Sequence, residues 1–71
     1  MTRFAVVIER DPSTGLYVGD VLGLPGAHSQ AESMEELRLN LREVLELLKE
    51  DGPLTWQSEF VGVEQLQLAE A

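Results

Sequence analysis

Ser33-Met34-Glu35-Glu36-Leu37-Arg38-Leu39-Asn40-Leu41-Arg42-Glu43-Val44-Leu45-Glu46-Leu47-Leu48-Lys49-Glu50-Asp51 is the stretch on which the fold turns. Met34, Leu37, Leu41, Val44, Leu45 and Leu48 recur at the i, i+3, i+4, i+7 spacing of one helical stripe. Ser33 with Glu36 three residues later forms a capping box, in which each side chain satisfies an otherwise orphan backbone N–H. After Asp51, Gly52 can take a left-handed conformation and Pro53 cannot continue a helix. Start, face and stop agree on one amphipathic helix, and the rest of the chain must supply the surface it packs on.

On the N-terminal side, Phe4-Ala5-Val6-Val7-Ile8-Glu9 is short, β-branched and nearly all apolar, as a strand requires. Arg10-Asp11-Pro12-Ser13-Thr14-Gly15 is dense in turn formers, and Leu16 to Leu22 reads as a second strand. The short polar link predicts an antiparallel hairpin. Gly23-Leu24-Pro25-Gly26 breaks the chain again, Ala27 to Gln30 is long enough for a third strand, and Ala31-Glu32 leads to the helix cap. Beyond the helix, Phe60 to Leu68 has strand character, with Leu66 and Leu68 alternating against Gln65 and Gln67. Ala69-Glu70-Ala71 is expected to fray.

The predicted order is β-β-β-α-β in one domain spanning residues 1–71. It is an α+β fold with a three- to four-stranded, mainly antiparallel sheet and one helix on one face. Phe4, Val6 and Ile8 are assigned to the helix side. Ala5, Val7, Tyr17, Gly19 and Val21 are assigned to the other face, where contiguous apolar surface would mark an interaction site.

Composition narrows the function. At 71 residues the surface-to-core ratio is high, and such domains are usually reinforced by disulfides, a metal or a partner chain. There is no Cys and only one His, which removes disulfides, thiolate or multi-histidine metal sites and a cysteine nucleophile. Oligomerisation as a dimer or tetramer, or docking on another protein, is the remedy left. Thirteen acids against five bases give a net charge of −8, which repels phosphate backbones and anionic membranes and suits a basic partner. The run Phe4 to Ile8 is too short for a signal peptide core, and no stretch approaches the roughly 20 apolar residues of a membrane span. The chain reads as a soluble, cytoplasmic protein with no cofactor.

Few residues invite catalysis. Gly23 to Gly26 is a tight connection and not a phosphate cradle, because neither a following Lys-Ser/Thr nor GxGxxG is present. Histidine is the residue type most often used for proton transfer, but nothing beside His28 or Ser29 signals a base or an oxyanion donor. Two-metal nuclease chemistry needs a carboxylate cluster, yet the first strand has no acid between Phe4 and Ile8. Glu9 stands only at its end, and Glu43 has no evident third partner. Glu35, Glu36, Glu43, Glu46 and Glu50 read mostly as a solvated helix face. Leu39 and Leu47, two turns apart, off the main stripe and roughly on one line of the helix, suit either a partly buried helix shoulder or contact with another chain. Trp56, in the polar setting of Thr55, Gln57 and Ser58, suits either a binding hot spot or a lid over its own core.

Leu24-Pro25-Gly26, Ser29-Gln30, Ser33 to Leu37, Asn40 and Glu43 together resemble the HicB-like antitoxins, halves of bacterial type II toxin–antitoxin pairs. Tyr17 takes the family's aromatic position, Ala27 its usual cysteine and Ala31 its usual glycine, while Glu32 and Ser33 stand at Asp-Thr. The resemblance implies a partial, catalytically inactive ribonuclease-H-like fold. It also implies a small basic partner of the HicA type, an mRNA-cleaving toxin that the antitoxin masks. Most family members add a C-terminal DNA-binding segment, whereas Pro53 to Ala71 contains no Lys or Arg, so direct nucleic-acid binding is not expected. The expected function is therefore non-enzymatic toxin masking, with an orphan homo-oligomeric interaction module as the alternative. Glu9, Tyr17, Asp20, Leu39, Leu47 and Trp56 are the expected partner-contact residues.

Overall fold

The computed structural model describes residues 2–69. Its elements follow the order β1 (Val6–Arg10), β2 (Tyr17–Val21), β3 (His28–Ala31) and α1 (Met34–Glu50). The strands form one antiparallel sheet of order β1-β2-β3, with the helix on one face, as the α+β pattern predicts. Ser33 caps α1 as expected: its backbone is extended at φ −134°, and its Oγ accepts from the Glu36 N–H at 3.1 Å. At the other end, the N–H groups of Asp51 and Gly52 donate to the carbonyls of Leu48 and Lys49, and Gly52 sits at φ +128°.

Leu37 and Leu41 are the buried residues of α1, and they meet Val21, Leu24, Ala27 and Ala31. Phe4, Tyr17, Met34, Val44, Leu45, Leu48 and Leu54 pack around that cluster half-buried. The helix lies over β3 and β2 and leaves β1 uncovered. Small side chains make this possible. A Cβ on Gly19 would stand 3.0 Å from Leu41 Cδ1 and 3.3 Å from Leu37 Cδ2, so the helix approaches β2 where a side chain is missing.

Register corrects the assignment of faces. Val6 pairs with Val21, Ile8 with Gly19 and Arg10 with Tyr17, and directly opposed residues of an antiparallel pair share a face. Val6 and Ile8 do lie on the helix side, and so do Tyr17, Gly19 and Val21, which the sequence had suggested for the open face. The open face carries Val7 and Val18 among Glu9, Asp20, His28 and Gln30. It is a mixed surface with a polar majority, unlike the apolar one expected.

The chain beyond the helix also departs from expectation. No strand forms over Phe60 to Leu68 among the described residues. Leu66 and Leu68 are each 89% exposed. Alternation is a property of the segment, but a strand also needs a neighbour to bond, and this one has none in the single chain. Glu70 and Ala71, expected to fray, lie outside the described residues.

Candidate protein-interaction site

Two surfaces stand out, one at the sheet edge and one on the helix. Along β1, the Leu22 N–H donates to the Ala5 carbonyl at 2.9 Å and the Asp11 N–H to the Leu16 carbonyl at 2.8 Å. Ala5 and Asp11 therefore point their backbone at β2, and by the alternation of the ladder so do Val7 and Glu9. Val6, Ile8 and Arg10 turn their N–H and C=O groups to the free edge. The side chains of Val6 and Ile8 face the helix side where no helix covers them, and they are 37% and 40% exposed. An edge with unpaired backbone and apolar side chains is a template for another strand.

The segment after the helix borders this edge. Trp56 stacks on Phe4, with ring centroids 5.8 Å apart and planes at 21°, and the Gln57 N–H donates to the Gly23 carbonyl at 2.7 Å. These contacts fix the start of the tail against the end of the sheet. Between them lies an open groove of about 910 Å³ whose lining includes Phe4, Val6, Val7, Trp56, Phe60 and Val63. Trp56 thus covers the end of its own core and also lines the groove.

The second surface is the outward side of α1. At about 100° per residue, Leu39 lies opposite the buried line through Leu37, Leu41 and Leu48. It is 53% exposed and Leu47 is 62% exposed, so neither is a buried shoulder. The same geometry sets them about 80° apart, so they do not share one line. Exposed Glu35, Glu36, Glu43, Glu46 and Glu50 lie around them, while Arg38, Arg42 and Lys49 form a basic strip that borders this acidic arc on its Leu39 side. The helix surface is therefore divided by sign of charge, with two leucines inside the acidic half.

The remaining expected contacts are dispersed. Glu9 and Asp20 are exposed on the open sheet face, with Asp20 directly opposite His28. Tyr17 is half-buried against the core, because the register turns it toward the helix. Leu39 and Leu47 therefore share a helix surface, Trp56 belongs to the groove, and Glu9 and Asp20 share the sheet face. Sequence reasoning missed Val6 and Ile8 as exposed edge residues. It placed them under the helix, and only the sideways seating of α1 leaves them bare. No group of three or more His, Cys, Asp or Glu positioned to hold a metal occurs among the described residues. No described helix is long and apolar enough to cross a membrane.

In the β1–β2 turn, the Ser13 hydroxyl and N–H donate to Asp11 Oδ1 at 2.7 and 2.9 Å. These bonds to the ionised form hold the Asp11 carboxyl below its ordinary value.

Fold and surface together define a small one-helix α+β module with an unpaired sheet edge and an acidic helix face. The chain belongs to the UPF0150 family. It is 44% identical over 64 residues to a UPF0150 protein of Synechocystis sp., covering 90% of this chain and 91% of that protein. It is 46% identical over 66 residues to a UPF0150 protein of Thermotoga maritima, covering 92% and 88%. A UPF0150 protein of Archaeoglobus fulgidus is 41% identical over 66 residues, covering 93% and 94%. No family model matches the chain. No solved structure matches it.

Proposed function

We propose that this chain is a non-enzymatic, antitoxin-like protein that binds and masks a small basic mRNA-cleaving toxin of the HicA type. The observation that carries the reading is the charge-divided helix, whose acidic half surrounds exposed Leu39 and Leu47. Eleven of the 12 acids among the described residues are exposed: Glu9, Asp20, Glu32, Glu35, Glu36, Glu43, Glu46, Glu50, Asp51, Glu59 and Glu64. A basic nuclease surface, shaped to hold RNA phosphates, is complementary to such a field, which speeds and orients association. The two leucines supply apolar contact inside a charged rim, the usual anatomy of an interface. The resemblance to the HicB-like antitoxins supports the same partner. Such a protein works in the cytoplasm, where the mRNA is, and needs no cofactor.

The test is capture of the tagged chain co-expressed with a small, basic toxin of the HicA type. The expected result is co-purification that weakens as salt rises and is lost in the Leu39→Lys, Leu47→Lys double variant. Recovery of the chain alone, or retention unaffected by that variant, would overturn the proposal. The free β1 edge favours a second reading, a homo-oligomeric interaction module with no toxin partner.

A further inference from the structure

We propose that two copies of this chain exchange their tails, residues 60–68 of each adding as a fourth strand to the free β1 edge of the other. The proposal deepens the homo-oligomer reading above by naming the segments that meet. It starts from two unsatisfied features of one molecule: a sheet edge with an open row of backbone groups, and a strand-patterned segment with nothing to pair. The edge has Val6 and Ile8 bare on the helix side. Val61, Val63, Leu66 and Leu68 on the tail are 93%, 77%, 89% and 89% exposed.

The amount of exposed surface fits a second copy. The chain exposes 6266 Å² at a mass of 7.9 kDa, whereas a folded monomer of that mass exposes about 4,400 Å². The difference, on the order of 1,900 Å², exceeds the roughly 800 Å² that each partner contributes to a stable interface. The radius of gyration tells the same story, 14.5 Å against about 11 Å for a compact chain of this length. The molecule measures 51 × 29 × 19 Å along its principal axes, a rod far longer than a compact fold of this mass.

Symmetry selects the occupant. β1 carries Glu9 and Arg10 and is flanked by Arg3 and Asp11, so it has no net charge, whereas residues 59–68 carry Glu59 and Glu64 and no base. The acidic tail would therefore meet a strand of no net charge, which adds no repulsion of its own, although the whole chains carry −8 and repel one another. Each copy holds one edge and one tail, so reciprocal exchange about a two-fold axis satisfies both and closes the assembly. Trp56 on Phe4 and Gln57 on Gly23 tie the tail's first residues to the sheet end, and beyond them the chain passes the groove without bonding to β1.

An equal mixture of ¹⁵N-labelled and ¹³C-labelled full-length chains, with filtered NOE spectra and light scattering, tests this directly. The expected result is a species of twice the 7.9 kDa chain mass, with NOEs between chains linking the Ile8 methyls to residues 60–68. Leu66→Asp, at a site too exposed to disturb the fold, halves the mass and removes those NOEs. A monomer at every concentration would overturn the proposal. So would β1–tail NOEs found only within one chain, or a dimer indifferent to Leu66→Asp. No toxin is present in the sample, so this result and that of the capture experiment fail or succeed independently.

Discussion

Gly23→Ala, compared with Gly26→Ala, separates the anchoring of the tail from the cost of the turn itself. Both glycines have positive φ, +82° and +85°, and alanine in that region costs about 1–2 kcal/mol. At Gly26 a Cβ meets nothing within 4 Å, so that cost is the whole effect. At Gly23 it would stand 2.9 Å from the Ser58 carbonyl oxygen and 3.0 Å from Trp56 Cδ1. A backbone oxygen cannot rotate aside, so the tail must lift. Lifting it breaks the Gln57–Gly23 hydrogen bond, about 0.5–1.5 kcal/mol, and the Phe4–Trp56 stack, of similar size.

The expected loss is therefore about 2–5 kcal/mol for Gly23→Ala and about 1–2 for Gly26→Ala. Against a total stability of roughly 4–11 kcal/mol for a chain this long, both are measurable by urea unfolding followed by circular dichroism. Trp56 is the sole tryptophan, so its emission reports the tail alone. Gly23→Ala shifts that emission to the red in the folded state and Gly26→Ala leaves it unchanged. Equal midpoints for the two variants, with unshifted emission in both, would refute the anchoring.

Three further outcomes follow from the packing. Leu37 is fully buried, and Leu37→Ala should cost about 2–5 kcal/mol as a cavity opens beneath the helix, seen as a lowered urea midpoint. Gly19→Val should cost about 1–3 kcal/mol by overpacking against Leu37 and Leu41, despite valine's better strand propensity. An unchanged or raised midpoint would mean the helix sits farther from β2. Because its folded pKa is depressed, Asp11 contributes stability that is present above the ordinary carboxyl value, about 3.9, and is lost as pH falls through the lowered folded value. An NMR titration of the Asp11 carboxyl should give a midpoint that rises in Ser13→Ala.

The helix and its cap were legible because they rest on local chemistry. Stripe, Ser33 and Gly52 each report on neighbours within a few residues. The sheet faces were not legible in the same way, since β1 and β2 are both apolar on alternating positions and only the register decides which set turns inward. A signal existed: Gly19, Ala27 and Ala31 are small residues that a closely seated helix requires, and all three lie beneath α1. Reading them together would have turned Tyr17 and Val21 inward. The strand expected at Phe60 to Leu68 failed for a different reason. Its alternation is real, but pairing depends on a distant partner that local sequence does not specify. Leu39 and Leu47 were recognised as off the stripe, and their exposure settles against a buried shoulder. The exposed edge at Val6 and Ile8 arises from where the helix sits, a tertiary fact with no local signature.

RNA cleavage by a small basic toxin of the HicA type, measured as this chain is added, tests the central functional claim most directly. The account predicts that cleavage stops near stoichiometric addition of the wild-type chain and persists when the Leu39→Lys, Leu47→Lys variant is added instead. Undiminished cleavage at a large excess of the wild-type chain would contradict it.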